Sequence, residues 1–169
     1  MEIDKVDFSY HMPITQDEFR AALSRFPSGV TVVTTKDGDG WFHGITVSAF
    51  CSVSLEPPLI LVCIEKITGS HAALKESDVF VVNILSETQH ELSEHFASTI
   101  PDKFSNVSFT LSLNGLPVLD DVTASLECRV DATHDAGDHT IFVGYVENVA
   151  ISNTHPLAYL HGDYHLIQH

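Results

Sequence analysis

Apolar residues recur at every second position over three stretches of the chain. They are Val107, Phe109, Leu111 and Leu113, then Ala124, Leu126, Cys128, Val130 and Ala132, then Ile141, Val143 and Tyr145. In an extended backbone this period puts each set on one face, so each stretch reads as a strand with one side buried and the other in water. Val79 to Leu85 carries apolar residues on both faces and reads as a central strand. Val30 to Thr35 is β-branched throughout, Asp37-Gly38-Asp39-Gly40 is a strong turn signal, and Trp41 opens a return strand, which together make a hairpin. Leu59 to Ile64 follows Pro57-Pro58 as a further strand. Many short strands divided by turns favour a barrel or sandwich over a parallel βαβ sheet. No Gly-x-Gly-x-x-Gly follows a strand, and there is no P-loop.

Helices are few. Thr15 and Glu18 form a capping-box pattern ahead of Phe19, Ala22, Leu23 and Phe26 at helical spacing, and Pro27-Ser28-Gly29 ends that helix. Ser70 stands as the cap of a short helix through Lys75. Ser86 and Gln89 form a second capping box before a helix with Leu92 and Phe96 on one face. Residues 1–14 read as an irregular arm and residues 15–169 as one domain, with 44% hydrophobic residues to build its core.

Charge narrows the function classes. The net charge is −15 with no Lys/Arg cluster, which repels nucleic-acid phosphates. A phosphate-bearing cofactor on such a chain needs a local nest of backbone N–H groups, hydroxyls and a few cations. The longest apolar run, Leu59 to Ile64, is too short to cross a membrane, and Glu2, Asp4 and Asp7 are unlike a secretory leader, so cytoplasm is the expected compartment. Cys51, Cys63 and Cys128 lie in apolar stretches without a CxxC pair and read as small core residues. His155, His161, His165 and His169 form a loose series with no paired-ligand spacing, and no metal is expected there.

The segment His43 to Pro58 is the densest in unusual chemistry. Thr46, Ser48, Ser52 and Ser54 interrupt an apolar context at even spacing, which on one strand would line them on one face. Such a row is either the solvent side of a sheet or a wall that holds a ring edge or a phosphate without positive charge.

Motifs in order carry a family resemblance from about Thr15 to Ile167. They are Phe26 to Thr34, His43 to Phe50, Ser52 to Leu59, Val81 to Leu85, His95 to Ala97, Gly115 to Pro117, Gly137 to His139, Pro156-Leu157 and Gly162 to Tyr164. In this order and spacing the chain resembles the flavin reductase family of the FMN-binding split-barrel fold, the small reductase components of two-component flavin-dependent monooxygenases.

That resemblance implies a mainly β protein with a few helices, folded as a split β-barrel. It implies hydride transfer from NADH or NADPH to FMN or FAD, in a homodimer that supplies reduced flavin to a partner oxygenase component. Thr46, Val47 and Ser48 would meet the isoalloxazine, and Val62, Cys63 and Ile64 its other edge. Ser52, Val53, Ser54, Thr68, Ser70, Phe96 and Ala97 would surround the ribityl chain and phosphate. Lys103 is either a phosphate cation or a surface lysine, and Ser70 either a helix cap or part of an anion site. His43, Gly44, His139 and Tyr164 fall on the nicotinamide side, with His139 as the residue that orients hydride donor and acceptor. Cys63 reads as a wall rather than a nucleophile. The pattern departs from many relatives at Ile45, Val47 and Ser48, and Trp41-Phe42 is bulky at what would be the pocket mouth. Two other split-barrel activities remain open: a tightly FMN-bound electron-transfer flavoprotein, and a non-catalytic barrel for haem or another ligand.

Overall fold

Two of the three period-two stretches become the two longest strands. A computed structural model describes residues 13–167. The proposed arm lies outside the described residues over 1–12, as does His169. The strands are β1 (Ser28–Gly29), β2 (Thr31–Lys36), β3 (Phe42–Val47), β4 (Phe50–Ser54), β5 (Leu59–Glu65), β6 (Val79–Ile84), β7 (Phe109–Leu111), β8 (Pro117–Leu119), β9 (Ala124–Ala136), β10 (His139–Ile151), β11 (Leu157–Leu160) and β12 (Asp163–Leu166). Three helices complete the fold: α1 (Gln16–Leu23), α2 (Gly69–Ser77) and α3 (His90–Ala97).

The main sheet has seven strands in the order β3-β2-β6-β9-β10-β5-β4. Its pairs are antiparallel. β3 and β4 are therefore its two opposite edges, yet only Ser48 and Ala49 separate them in the chain. A sheet can meet that demand only by coiling until its edges come together at one end. No ladder joins β3 to β4 among the described residues, so the barrel stays split. Register shifts in the β9–β10 pair, between Val143 and Gly144 and between Val146 and Asn148, are the irregularities that add bend and twist to so long a ribbon.

β6 lies between β2 and β9, as its two-faced apolar pattern predicts, and it feeds both sides of the sheet. Val33, Val47, Ile60, Val62, Ile64, Leu74, Phe80, Val82, Cys128 and Phe142 form the first core. Val30, Val32, Leu85, Phe96, Leu119 and Leu157 form a second. Val32 and Val33 thus serve different cores from adjacent positions, which is the strand period at work. Phe80 is fully buried, worth about 2–3 kcal/mol over an exposed ring. It rests on Gly144, where an added Cβ would lie 2.5 Å from its Cζ. Buried Asn83 is satisfied: its amide donates to the Val32 carbonyl (3.0 Å) and Thr34 Oγ1 (3.2 Å), and its oxygen accepts from the Leu119 N–H (2.9 Å).

Several local expectations change. The hydroxyl row does not share one strand face: Thr46 belongs to β3, the chain turns at Ser48-Ala49, and a register shift falls between Ser52 and Ser54 in β4. Only residues 109–111 of the Val107–Leu113 alternation form a strand, and Leu113 is exposed. α2 is capped by Thr68, whose side chain accepts from the His71 N–H, and Ser70 lies inside its first turn. Of the second capping box one arm forms, the Ser86 N–H to Gln89 Oε1 (2.9 Å), and Gln89 itself precedes α3. Cys51 is exposed on the β4 edge and only Cys128 is fully buried, where burial chiefly pushes its thiol up to about 12. The Thr15–Glu18 box forms in full, but α1 buries none of its residues and leaves Phe19 and Leu23 in solvent, with Phe26 exposed just beyond.

Candidate active site

A cleft of about 1230 Å³ opens where β3, the start of α2 and the segment from the end of α3 to Phe109 face one another. Its floor is aromatic. Phe104 packs edge-on against Phe42 (5.7 Å between centroids), Phe96 (5.2 Å) and Phe109 (5.6 Å). Phe96 comes this close to β3 because residue 44 is glycine: a Cβ there would lie 2.4 Å from Phe96 Cε1. An apolar, aromatic floor of this kind suits one face of a planar ring.

The polar groups stand around that floor. Lys103 Nζ donates to the carbonyls of Phe96 (2.7 Å) and Gly44 (3.1 Å), and burial pulls its ammonium below the usual lysine value. It is half-buried, and it is the single lysine or arginine among the residues that line the cleft. Thr68, Gly69 and Ser70 bring the N-terminus of α2 to the same cleft, where first-turn N–H groups have no partner within the helix. Helix N-terminal donors and an ammonium are the kinds of group that a phosphate needs on a chain of charge −15.

His43 Nε2 meets Asp37 Oδ2 at 2.9 Å, and that hydrogen bond holds the Asp37 carboxyl below its ordinary value. Thr46 donates its hydroxyl to the Ser93 carbonyl (2.6 Å), tying β3 to α3. Cys63 is half-buried and its thiol is raised by burial, so it stays protonated and is no nucleophile.

The cleft brings together His43, Gly44, Thr46, Thr68, Ser70, Phe96, Ala97 and Lys103. The other residues expected at the site stand elsewhere. Val47, Val62 and Ile64 are buried in the first core. Ser48 is in the β3–β4 link, and its carbonyl accepts from the Phe50 N–H (3.0 Å). Ser52 and Val53 are exposed on β4, and Ser54 half-buried. Tyr164 lines a second, smaller cavity of about 320 Å³ beside α3 and donates to Ser93 Oγ (2.9 Å).

His139 opens β10 directly opposite Glu65 of β5. Opposed residues of an antiparallel pair share a face, and Glu65 lines the cleft, so His139 stands on the cleft side of this sheet. Its Nδ1 meets Asp138 Oδ1 at 2.7 Å, which lowers the Asp138 carboxyl, and His139 itself is not among the residues that line the cleft. Lys66 latches the turn that carries it: its Nζ donates to the Gly137 carbonyl (2.9 Å) and its backbone N–H to the Asp138 carbonyl (3.0 Å). The sequence assigns no role to Asp37, Lys66 and the floor rings Phe104 and Phe109, and it names Phe42, with Trp41, only as bulk at the pocket mouth. Phe104's place beside Lys103 was the one available signal.

A coiled, split antiparallel sheet with an aromatic-lined cleft between its edge strand and two helices defines a protein of the split-barrel class. The chain belongs to the flavin reductase-like family: the family described as "Flavin reductase like domain" matches residues 23–168. It is 40% identical over 145 residues to a probable flavin reductase of Rhizobium meliloti (strain 1021), over 86% of this chain and 47% of that protein. It is 40% identical over 147 residues to the reductase subunit HsaB of a flavin-dependent monooxygenase of Rhodococcus jostii (strain RHA1), over 86% of this chain and 75% of that protein. Among solved structures, the Streptomyces globisporus C-1027 NADH:FAD oxidoreductase SgcE6 in complex with NAD and FAD fragments superposes with a TM-score of 0.86 at 32% identity, covering 90% of this chain and 93% of that one. The chain thus spans less than half of the first relative and three quarters of the second.

Proposed function

We propose that this chain is an NAD(P)H:flavin oxidoreductase that reduces FMN or FAD and delivers the product to a flavin-dependent oxygenase. The cleft carries the proposal: an aromatic floor for a planar ring shares it with one half-buried lysine and a helix N-terminus for a phosphate. Family membership and the reductase relatives support it. When bound, flavin supplies the redox chemistry and accepts hydride from the reduced nicotinamide. The protein's part is to bind, orient and exclude water.

In this reading Thr68, Ser70, Phe96, Ala97 and Lys103 hold the ribityl phosphate. Thr46, Val47 and Ser48 hold the ring through backbone groups, which also stabilise negative charge as it grows on the ring. Val62, Cys63 and Ile64 of β5 and Ser52, Val53 and Ser54 of β4 do not line this cleft and take no part in this reading. His43, Gly44 and His139 face the nicotinamide, with His139 orienting it, and Tyr164, in the separate cavity beside α3, does not.

The assembly in this proposal is a homodimer. The exposed apolar side chains of Phe19, Leu23 and Phe26 support it, because a helix with a hydrophobic stripe gains stability only when that stripe is covered. A two-fold pairing is the commonest way for one chain to cover such a surface.

The decisive assay is oxidation of NADH and NADPH at 340 nm with FMN, FAD and riboflavin each added in turn. Turnover with at least one flavin is expected. Folded protein that oxidises neither nicotinamide with any of the three sinks the reading. Protein that purifies yellow, holds its flavin and ignores both nicotinamides would be an electron-transfer flavoprotein instead.

A further inference from the structure

We propose that Lys66 is a positioning residue for hydride transfer: its side chain clamps the β9–β10 turn and so sets where His139 stands. The proposal rests on the reading of His139 as the residue that orients the nicotinamide.

The turn needs support from outside the ribbon. β9 ends at Ala136 and β10 starts at His139, so Gly137 and Asp138 alone close two strands of 13 residues each. Gly137 takes a φ of +64°, as the first central residue of a type II′ turn does. Pairing of β9 with β6 stops at Arg129, and over residues 132–136 β9 pairs with β10 alone among the described residues. On the other side the β5 ladder ends at the Glu65–His139 pair. Asp135, Ala136, Gly137 and Asp138 are all exposed. A ribbon end with one-sided pairing and no buried side chains opens at little cost.

Lys66 is the next residue after that ladder, and it reaches both sides of the turn. Its N–H donates to the Asp138 carbonyl (3.0 Å). Its Nζ donates to the Gly137 carbonyl (2.9 Å) and lies 3.4 Å from Asp135 Oδ1. The base of the clamp is fixed in turn. The Glu65 carbonyl accepts from the Thr68 N–H (3.2 Å) and from Thr68 Oγ1 (2.9 Å), which folds residues 65–68 tightly and delivers Thr68 as the cap of α2. Glu65, Ile67 and Thr68 line the cleft and Lys66 does not. Its ammonium is therefore engaged by the turn, not offered to a ligand. His139 follows the turn directly, so a shift of Gly137 and Asp138 carries its ring along. Misplacing a group by about 1 Å at a reacting centre costs up to roughly a hundredfold in rate.

Lys66→Met removes the ammonium and keeps the backbone hydrogen bond, and Lys66→Arg restores charge and donors. Full-length protein is compared by amide hydrogen exchange across residues 136–140, by calorimetry with FMN and FAD, and by stopped-flow reduction of bound flavin with NADH and NADPH. Lys66→Met should speed exchange at the turn, leave flavin affinity unchanged and slow reduction about tenfold, and Lys66→Arg should recover most of the rate. In a His139→Ala background Lys66→Met should slow reduction no further, because a residue that acts through another is not additive with it.

Three results overturn the proposal. Equal slowing with and without His139 shows that Lys66 acts elsewhere. Weaker flavin binding with full rate at saturating flavin makes Lys66 a ligand cation. Unchanged exchange and rate make the clamp inert. If wild type reduces no flavin, or His139→Ala leaves reduction untouched, the underlying reading falls and the positioning role with it, while exchange at the turn separately reports whether the clamp exists.

Discussion

Asp37 holds three donors at once. Its Oδ1 accepts from the N–H groups of Asp39 (3.0 Å) and Trp41 (2.9 Å), and its Oδ2 pairs with His43 Nε2 (2.9 Å). One carboxylate in the hairpin turn therefore fixes both the lip of the cleft and the first histidine on its wall. His139 is held differently, by its own neighbour Asp138 through Nδ1, which leaves Nε2 as the second ring nitrogen. If that nitrogen orients the nicotinamide, His139→Ala should leave the fold and flavin affinity nearly unchanged and slow hydride transfer. A positioned, partly desolvated hydrogen bond is worth about 1–3 kcal/mol, or roughly 5- to 150-fold in rate if it acts in the transition state. Stopped-flow reduction of bound flavin measures this directly, and an identical rate and nicotinamide dependence in the variant would return His139 to the surface. Sequence placed Lys103 beside Phe104 but left its role undecided. Its two carbonyl partners belong to residues 7 and 59 positions away, which no local pattern encodes.

At the scale of elements, strands were legible and their ends were not. The period of two located β9, β10 and the centre of β6, because burial on one or both faces is written directly into residue choice. The break between β3 and β4 escaped because even spacing of hydroxyls continues through Ser48 while the backbone leaves the sheet. The aromatic floor escaped for another reason: Phe42, Phe96, Phe104 and Phe109 come from separate elements and meet only in three dimensions. α1 is the converse case. Its capping box and helical spacing are both realised, yet its apolar residues are not buried among the described residues. In a homodimer that uses this face, Leu23→Glu should shift sedimentation equilibrium toward monomer while circular dichroism stays unchanged, since Leu23 is 57% exposed within the chain. A wild-type chain that sediments as a monomer would remove the homodimer from the proposed function.

Across the whole molecule, a few buried polar links join the helices to the sheet, and one of them titrates. His71 of α2 lies almost wholly buried, 2.9 Å from Thr140 Oγ1 of β10, and burial, with smaller contributions from Lys75 and Lys66, holds its value below the ordinary 6.5. The unfolded chain binds this proton more readily than the folded one. Stability from a neutral His71 is therefore complete above about pH 6.5 and drains as the pH falls below that value toward the folded one, at up to about 1.4 kcal/mol per pH unit. Melting temperatures of wild type and His71→Gln between pH 7.5 and 5 should converge on acidification, and parallel curves would show that His71 is not the titrating group. The split in the barrel has a consequence of another kind. A closed barrel has no edges, but this one keeps two, and β4 exposes Cys51, Ser52 and Val53 along its edge. Unpaired strand edges are templates for sheet-to-sheet growth. The opening that divides the barrel thus sets a shelf-life hazard, in which concentrated, oxidised stocks self-associate through β4, and a single charged side chain in place of Val53 would act as a gatekeeper against it.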